Sequence, residues 1–166
     1  MRYRNLLAAA VLATTAGTAV AADAQGYVGG SYGRATFDND EFDGADDGYK
    51  AFIGGYGGLV GGEVGYVNFG QLGGSGGPDA EAWTIAVTAG LPLGDLGRLY
   101  GKVGYAFPEV ENRNLAEEID EDEKPFWGAG VAVPVSQSIA LRFEYERYDV
   151  GREDLDMASA GVELRF

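Results

Sequence analysis

The sequence predicts an all-β fold, an eight-stranded antiparallel up-and-down transmembrane β-barrel. Three observations carry that reading. Apolar and small or polar residues alternate with period two over segments of about ten residues, the signature of strands with two different faces. The connections between these segments are alternately short and long, as in a meander closed on itself. Aromatic residues gather on the apolar face near segment ends, where a barrel wall meets the two surfaces of a membrane.

The first segment, residues 1–21, reads as a cleavable signal peptide. Met1-Arg2-Tyr3-Arg4-Asn5 is a short positive head, Leu6 to Val20 is apolar with small residues, and Ala19-Val20-Ala21 is a small-x-small cleavage site before Ala22. Cleavage after Ala24 is the alternative. A spanning helix needs about 20 apolar residues, and this stretch is shorter and diluted by Thr14, Thr15, Gly17 and Thr18. Residues 22–166 then form one domain.

Eight strands follow in order at 26–35, 48–56, 59–69, 82–91, 98–107, 126–134, 139–148 and 157–166. Trp83, Ile85, Val87, Ala89 and Leu91 alternate with Thr84, Ala86, Thr88 and Gly90. Trp127, Ala129, Val131 and Val133 alternate with Gly128, Gly130 and Ala132. Ile139, Leu141, Phe143 and Tyr145 alternate with Ala140, Arg142, Glu144 and Glu146, and the last strand sets Val162, Leu164 and Phe166 against Gly161, Glu163 and Arg165. The turns at Gly57-Gly58, Pro92–Gly97 and Val135–Ser138 are short, whereas 36–47, 70–81, 108–125 and 149–156 are long and polar. Ten strands would leave too few residues for four long loops, and six would leave long stretches without structure.

The polar face is expected to point inward. It is rich in Gly, Ala and Thr, and its long members are ionised and balanced: Lys50, Lys102, Arg142 and Arg165 against Glu63, Glu144, Glu146 and Glu163. They are expected to form a mutually paired network in the lumen. The other face carries Tyr66, Trp83, Tyr105, Phe107, Trp127, Phe143, Tyr145 and Phe166 and is expected to meet lipid. If Gly57-Gly58 is a two-residue hairpin loop, Tyr56 pairs with Leu59, Phe52 with Glu63 and Lys50 with Gly65, making Lys50 and Glu63 diagonal neighbours.

Composition excludes other classes. The net charge is −14, and loss of Arg2 and Arg4 with the leader leaves ten basic against 26 acidic residues, which argues against a nucleic-acid partner. With no Cys and no His, thiolate metal sites, the commonest zinc ligand and the usual base of serine hydrolases are missing. The five serines, Ser31, Ser75, Ser136, Ser138 and Ser159, have no obvious base partner, and Glu144 and Glu146 are consecutive members of one strand face beside Arg142. No catalytic residue, cofactor or metal site is expected.

The stretch Gly48-Tyr49-Lys50-Ala51-Phe52-Ile53-Gly54-Gly55-Tyr56 followed by Gly62-Glu63-Val64-Gly65-Tyr66-Val67-Asn68-Phe69-Gly70 resembles the second hairpin of the opacity-protein and OmpA-type small outer-membrane β-barrels. Gly128-Ala129-Gly130-Val131 and Ala140-Leu141-Arg142-Phe143-Glu144-Tyr145-Glu146-Arg147-Tyr148 resemble that family's strands six and seven, and Gly161-Val162-Glu163-Leu164-Arg165-Phe166 resembles its terminal assembly signal, with Phe166 as the final aromatic. The resemblance covers residues 26–166, the barrel domain only, without the peptidoglycan-binding domain of full-length OmpA proteins. It implies insertion into the outer membrane by the barrel-assembly machinery, with short turns in the periplasm and long loops outside. It also implies a monomer among outer-membrane lipids including lipopolysaccharide. The role implied is structural or surface-interacting, in envelope integrity, adhesion or shielding. A passive small-solute channel is the alternative, against which a charged lumen speaks.

Twenty of the 26 acidic residues fall in or beside the four long loops. Their first effect is solvation and mutual repulsion. Asp38-Asn39-Asp40-Glu41-Phe42-Asp43-Gly44 does not match a calcium loop, because Phe42 occupies a ligand position. Weak divalent binding, on the order of 10⁻⁴–10⁻³ M, is what flexible carboxylates without rigid spacing support. Loops 36–47 and 108–125 are therefore expected to lose protease sensitivity in millimolar Ca²⁺ while the strands are unchanged. Limited proteolysis against NaCl of matched ionic strength checks this, and equal cleavage in both would leave the carboxylates purely solvating.

Overall fold

In a computed structural model of the chain, residues 24–38, 44–71, 79–109, 123–149 and 154–166 are described. The expected leader, residues 1–21, lies outside them. The alternating segments form β1 (Ala24–Asp38), β2 (Gly44–Gly57), β3 (Val60–Gln71), β4 (Asp79–Pro92), β5 (Arg98–Glu109), β6 (Lys124–Pro134), β7 (Ile139–Asp149) and β8 (Asp154–Arg165). Each is antiparallel to the next, and β8 pairs back onto β1 to close the barrel. No helix among the described residues is long and apolar enough to cross a membrane. Closure pairs each strand's backbone on both sides, the one arrangement besides a helix that hydrocarbon permits.

The strands run further into the polar segments than the pattern of residues predicts. Thr36 pairs with Ala45 and Phe37 with Gly44, beyond the expected ends of β1 and β2. Outside hydrocarbon, outward side chains meet water, so polarity does not mark where a ladder stops.

The first hairpin after β2 departs from the expected register. Gly57 pairs with Val60, so the two-residue loop is Gly58-Leu59, not Gly57-Gly58. Gly58 alone carries the positive φ of 63° that calls for glycine there. Moving the loop by one residue slips the ladder by two. Lys50 therefore faces Val67, Phe52 faces Gly65 and Glu63 faces Gly54, while every side chain keeps its face. The expected register would have set Phe52 against Glu63, two long side chains abreast, and removed Lys50 from the position it holds.

Room inside the barrel explains that choice. From Tyr27 the chain of paired residues runs through Gly54, Glu63, Ala86, Gly104, Phe126, Tyr148 and Leu155 and returns to β1 at Phe37, ten residues further on. With about 3.3 Å per residue and about 4.8 Å between strands, that stagger tilts the strands about 40° and gives a backbone cylinder of about 8 Å radius. Long lumen side chains accordingly sit beside small ones. Phe52 lies between Gly29 and Gly65, Tyr100 between Gly90 and Gly130, and Lys102 between Thr88 and Gly128. A Cβ on Gly29 would come within 2.5 Å of the Phe52 ring.

The outer face is apolar and exposed. Tyr32, Tyr49, Tyr66, Trp83, Tyr105, Trp127 and Tyr145 belong to β1 through β7 in turn and form one belt around the wall toward the loop end. Two residues beyond them along the strands, the positions on β1, β2, β3, β4 and β7 are the polar Arg34, Asp47, Asn68, Glu81 and Arg147, and those on β5 and β6 are Phe107 and Pro125. Several are tied together: the Tyr32 hydroxyl donates to Asp47, Asn68 donates to Glu81, and Arg147 holds Asp156 with two bonds of 2.6 and 2.7 Å. The change from aromatic to polar over one pleat repeat marks the membrane boundary. Phe143 lies lower on the wall, among aliphatic side chains.

At the turn end the seam is finished by Phe166. Its N–H donates to Gly26 O at 2.9 Å and its carbonyl accepts from Gly26 N–H at 3.0 Å. Its ring lies against Gly26, where a Cβ would meet it at 2.5 Å, and remains 74% exposed on the lipid side. Deleting Phe166 is expected to reduce the amount of heat-modifiable barrel in outer membranes while secretion across the inner membrane continues. Gel migration before and after boiling measures the first and periplasmic protein the second.

Candidate functional site

The inward positions of the eight strands stack into three zones. Midway along the lumen, residues of opposite charge from five strands converge. Lys50 on β2 donates to Glu144 and, at 2.6 Å, to Glu146, both on β7. Lys102 on β5 reaches Glu63 at 3.0 Å, Glu144 at 2.8 Å and Glu146 at 2.6 Å. Arg142 on β7 bonds Glu63 on β3, Glu144 at 2.7 Å and, at 3.4 Å, Glu163 on β8. Glu163 also accepts from Arg165 at 2.8 Å. All of these side chains are at most 4% exposed except Arg165, at 11%.

All eight residues singled out in the sequence thus lie in one connected set. The partner choice differs from the expected one: Lys50 does not meet Glu63. The two-residue slip of β3 carries Glu63 toward the turn end, where Lys102 and Arg142 take it, and Lys50 crosses the lumen to β7.

Aromatic rings support the ions. Arg142 lies over Phe52 at 4.0 Å, with Tyr100 at 5.0 Å and Tyr27 at 5.5 Å from its guanidinium carbon. The Tyr27 hydroxyl donates to Glu63 at 3.0 Å. In water-poor surroundings each charge is tolerated because another charge and a hydrogen bond accompany it.

Toward the loop end the lumen is apolar, contrary to the expectation that its long members are nearly all ionised. Val67, Phe69, Phe126, Tyr148, Leu155 and Met157 pack with Ala35, Ala82 and Ala106 into a buried cluster. Phe126 stacks on Tyr148 at 4.9 Å and Phe69 meets the same ring edge-on at 4.8 Å. Val67, Ala82, Ala106 and Phe126 are chain neighbours of the belt residues Tyr66, Trp83, Tyr105 and Trp127, so the cluster closes the lumen at the outer membrane boundary.

Toward the turns lie Tyr27, Tyr56, Arg98 and Tyr100. Sequence reasoning passed over Arg98 and Tyr100, although both share the parity of Lys102 on one strand, and over Phe52, which shares that of Lys50. The same period that placed the lysines inward would have placed them. Among the described residues no group of three or more carboxylates is arranged to hold a metal ion.

A family model described as "Outer membrane protein beta-barrel domain" matches residues 6–166. No curated protein sequence matches the chain significantly. Among solved structures, the attachment invasion locus protein Ail of Yersinia pestis superposes with a TM-score of 0.61 at 13% identity, over 86% of this chain and 98% of Ail. The N-terminal β-barrel domain of Pseudomonas aeruginosa OprF gives 0.60 at 15% identity, over 85% of this chain and 97% of that one. Neisserial surface protein A gives 0.57 at 16% identity, with coverages of 85% and 97%. At such identities the likeness concerns the fold.

The ion network predicts a stability hierarchy. Arg142→Ala leaves Glu63, Glu144 and Glu163 without their shared partner in a buried site, a type of loss that costs about 3–5 kcal/mol. It should lower resistance to unfolding in detergent far more than Glu118→Ala in the acidic segment 108–125. Denaturant titration followed by tryptophan fluorescence and gel migration compares the two.

Proposed function

Because the chain belongs to the family of outer membrane protein beta-barrel domains, we propose that it is a closed barrel of the outer membrane with a structural or surface-interaction role and no transport function. The observation that carries this reading is a lumen filled in series by the ion network and the apolar cluster. An ion entering from the turn side would have to displace paired charges and then pass through packed Phe126, Tyr148 and Met157, where neither water nor a counter-ion accompanies it.

In this reading residues 1–21 direct export and are removed, and the barrel-assembly machinery inserts residues 22–166 with Phe166 in its terminal signal. The protein stands as a monomer among outer-membrane lipids including lipopolysaccharide. Its wall suits that place, since the belt and the aliphatic surface below it form a continuous apolar band. What remains for function is the acidic outer end. It is presented to the surroundings on a rigid support, where it contributes to envelope integrity, shielding or adhesion, with divalent cations bridging its carboxylates to lipid phosphates.

The charge of that end selects among partners. Ail of Yersinia pestis has been crystallised with the heparin analogue sucrose octasulfate. A sulfated polyanion meets repulsion from the loops of this chain, so an adhesive role here calls for a cationic partner or a cation bridge.

Planar-bilayer recording of detergent-folded protein is the deciding experiment, on material whose folding is verified by altered gel migration on boiling. The expected record shows no large steady ohmic conductance. Such a conductance would instead establish the passive small-solute channel.

A further inference from the structure

The turn end of the lumen holds more hydrogen-bond donors than its acceptors can satisfy. Below the apolar cluster, Lys50, Lys102, Arg98, Arg142 and Arg165 face Glu63, Glu144, Glu146 and Glu163 among the described residues. Four of the five cations are ion-paired. Among the described residues Arg98, the first residue of β5, makes no ion pair, and Asp95 in the turn before it is exposed.

Its surroundings hold it in place without neutralising it. The guanidinium carbon lies 4.0 Å from the centre of the Tyr56 ring and 5.6 Å from that of Tyr100. Tyr56 directs its hydroxyl to Gln25 and so offers Arg98 a ring face only. The guanidinium occupies the space left by Gly90, where a Cβ would come within 2.3 Å of Nε. Arg98 Nε and Nη2 are buried and have no hydrogen-bond partner among the described residues.

Further unpartnered groups lie there and in the adjoining ion network. Arg142 Nε, Arg165 Nη2, the Tyr100 hydroxyl and Thr88 Oγ1 are buried without a partner, and Arg142, Tyr100 and Thr88 are each at most 5% exposed as residues. Glu63 is already engaged by Tyr27, Lys102 and Arg142, and Glu163 by Arg142 and Arg165. A surplus positive charge beside spare N–H and O–H donors is the complement of an oxyanion, and the planar guanidinium matches two of its oxygens.

We propose that the periplasmic mouth of the lumen binds a small oxyanion of the phosphate or sulfate class, centred on Arg98. Arg98 is half-buried at the turn end and the far end is shut by the apolar cluster, so the anion enters and leaves from the turn side. It is bound and not transported. Both free phosphate and the phosphate of an inner-leaflet phospholipid carry this chemistry.

The test is NMR of the folded wild-type barrel, following the Arg98 Nε–H signal. In micelles of a sugar-headgroup detergent, sodium phosphate and sodium sulfate are titrated against sodium chloride at matched ionic strength. In a second arm, phosphate-free micelles of the same detergent are compared with the same micelles doped with phosphatidylglycerol. A saturable shift at Arg98, absent at outward-facing Arg34, supports the site. The arm in which it occurs identifies free anion or headgroup as the source. Arg98→Gln should weaken the response, read at Arg142 and Tyr100, at least tenfold, and Arg34→Gln should leave it unchanged. No saturable shift in either arm, equal shifts at Arg34, or unchanged affinity in Arg98→Gln would each mean an adventitious ion only and overturn the proposal. The wild-type titrations decide the matter even where Arg98→Gln does not fold.

Discussion

A cylinder of eight strands staggered by ten residues leaves an interior about one large side chain wide, and most of this protein's structure answers to that limit. Large lumen residues can be accommodated only beside small ones. Phe52 lies over Gly29, the Tyr100 hydroxyl end reaches the space above Gly130, and Glu146 lies against Gly128. The high glycine content is therefore largely steric in origin, with Gly58 and its positive φ among the places where backbone conformation is the reason. The same limit selects the register of β2 against β3, because a slip of two residues separates Phe52 from Glu63 and gives each a glycine.

Narrowness also determines the electrostatics. Carboxylates and ammonium groups confined to this space cannot keep hydration shells, so they must be close enough to serve one another. Glu144 illustrates the economy: its two oxygens are shared among Lys50, Lys102 and Arg142. The network links β2, β3, β5, β7 and β8 across the lumen, in addition to the hydrogen-bonded ladder that links them around the wall. Replacing any member but Arg165 disturbs two pairs or more, which distinguishes this set from surface ion pairs such as Arg147 with Asp154, worth little in water.

The molecule is built with its polarity reversed relative to a water-soluble domain, and the reversal has a definite upper limit. Up to the aromatic belt the outside is apolar and the inside ionic. At the belt the inside becomes apolar, and just beyond it the outside becomes polar. The switch places an apolar seal at the level where the wall leaves hydrocarbon and water could otherwise enter from the loop side. At the turn end buried Tyr27, Phe52 and Tyr100 stand in place of that cluster, and it is there that Arg98 lies without an ion pair among the described residues. The two ends of one barrel therefore differ in character: an apolar, packed loop end and a turn end where Arg98 is left over from the described ion pairs.

Alternation along the chain is a local property, and it is what the sequence by itself determines: strand count, the lipid-facing residues, and the inward parity of Lys50, Glu63, Lys102, Arg142, Glu144, Glu146, Glu163 and Arg165. Parity survives a register slip of two, which is why the faces could be read correctly from a hairpin whose loop is displaced by one residue. Which ion meets which is not local. Lys50 and Glu144 are 94 residues apart, and Arg142 and Glu63 are 79 apart. Their contact depends on tilt, stagger and closure of the whole sheet. The apolar seal and the surplus of Arg98 arise in the same way, since each is a relation among inward residues of several strands at one height. Only the tertiary structure sets that height, because only closure of β8 on β1 decides how far each strand is shifted along its neighbours.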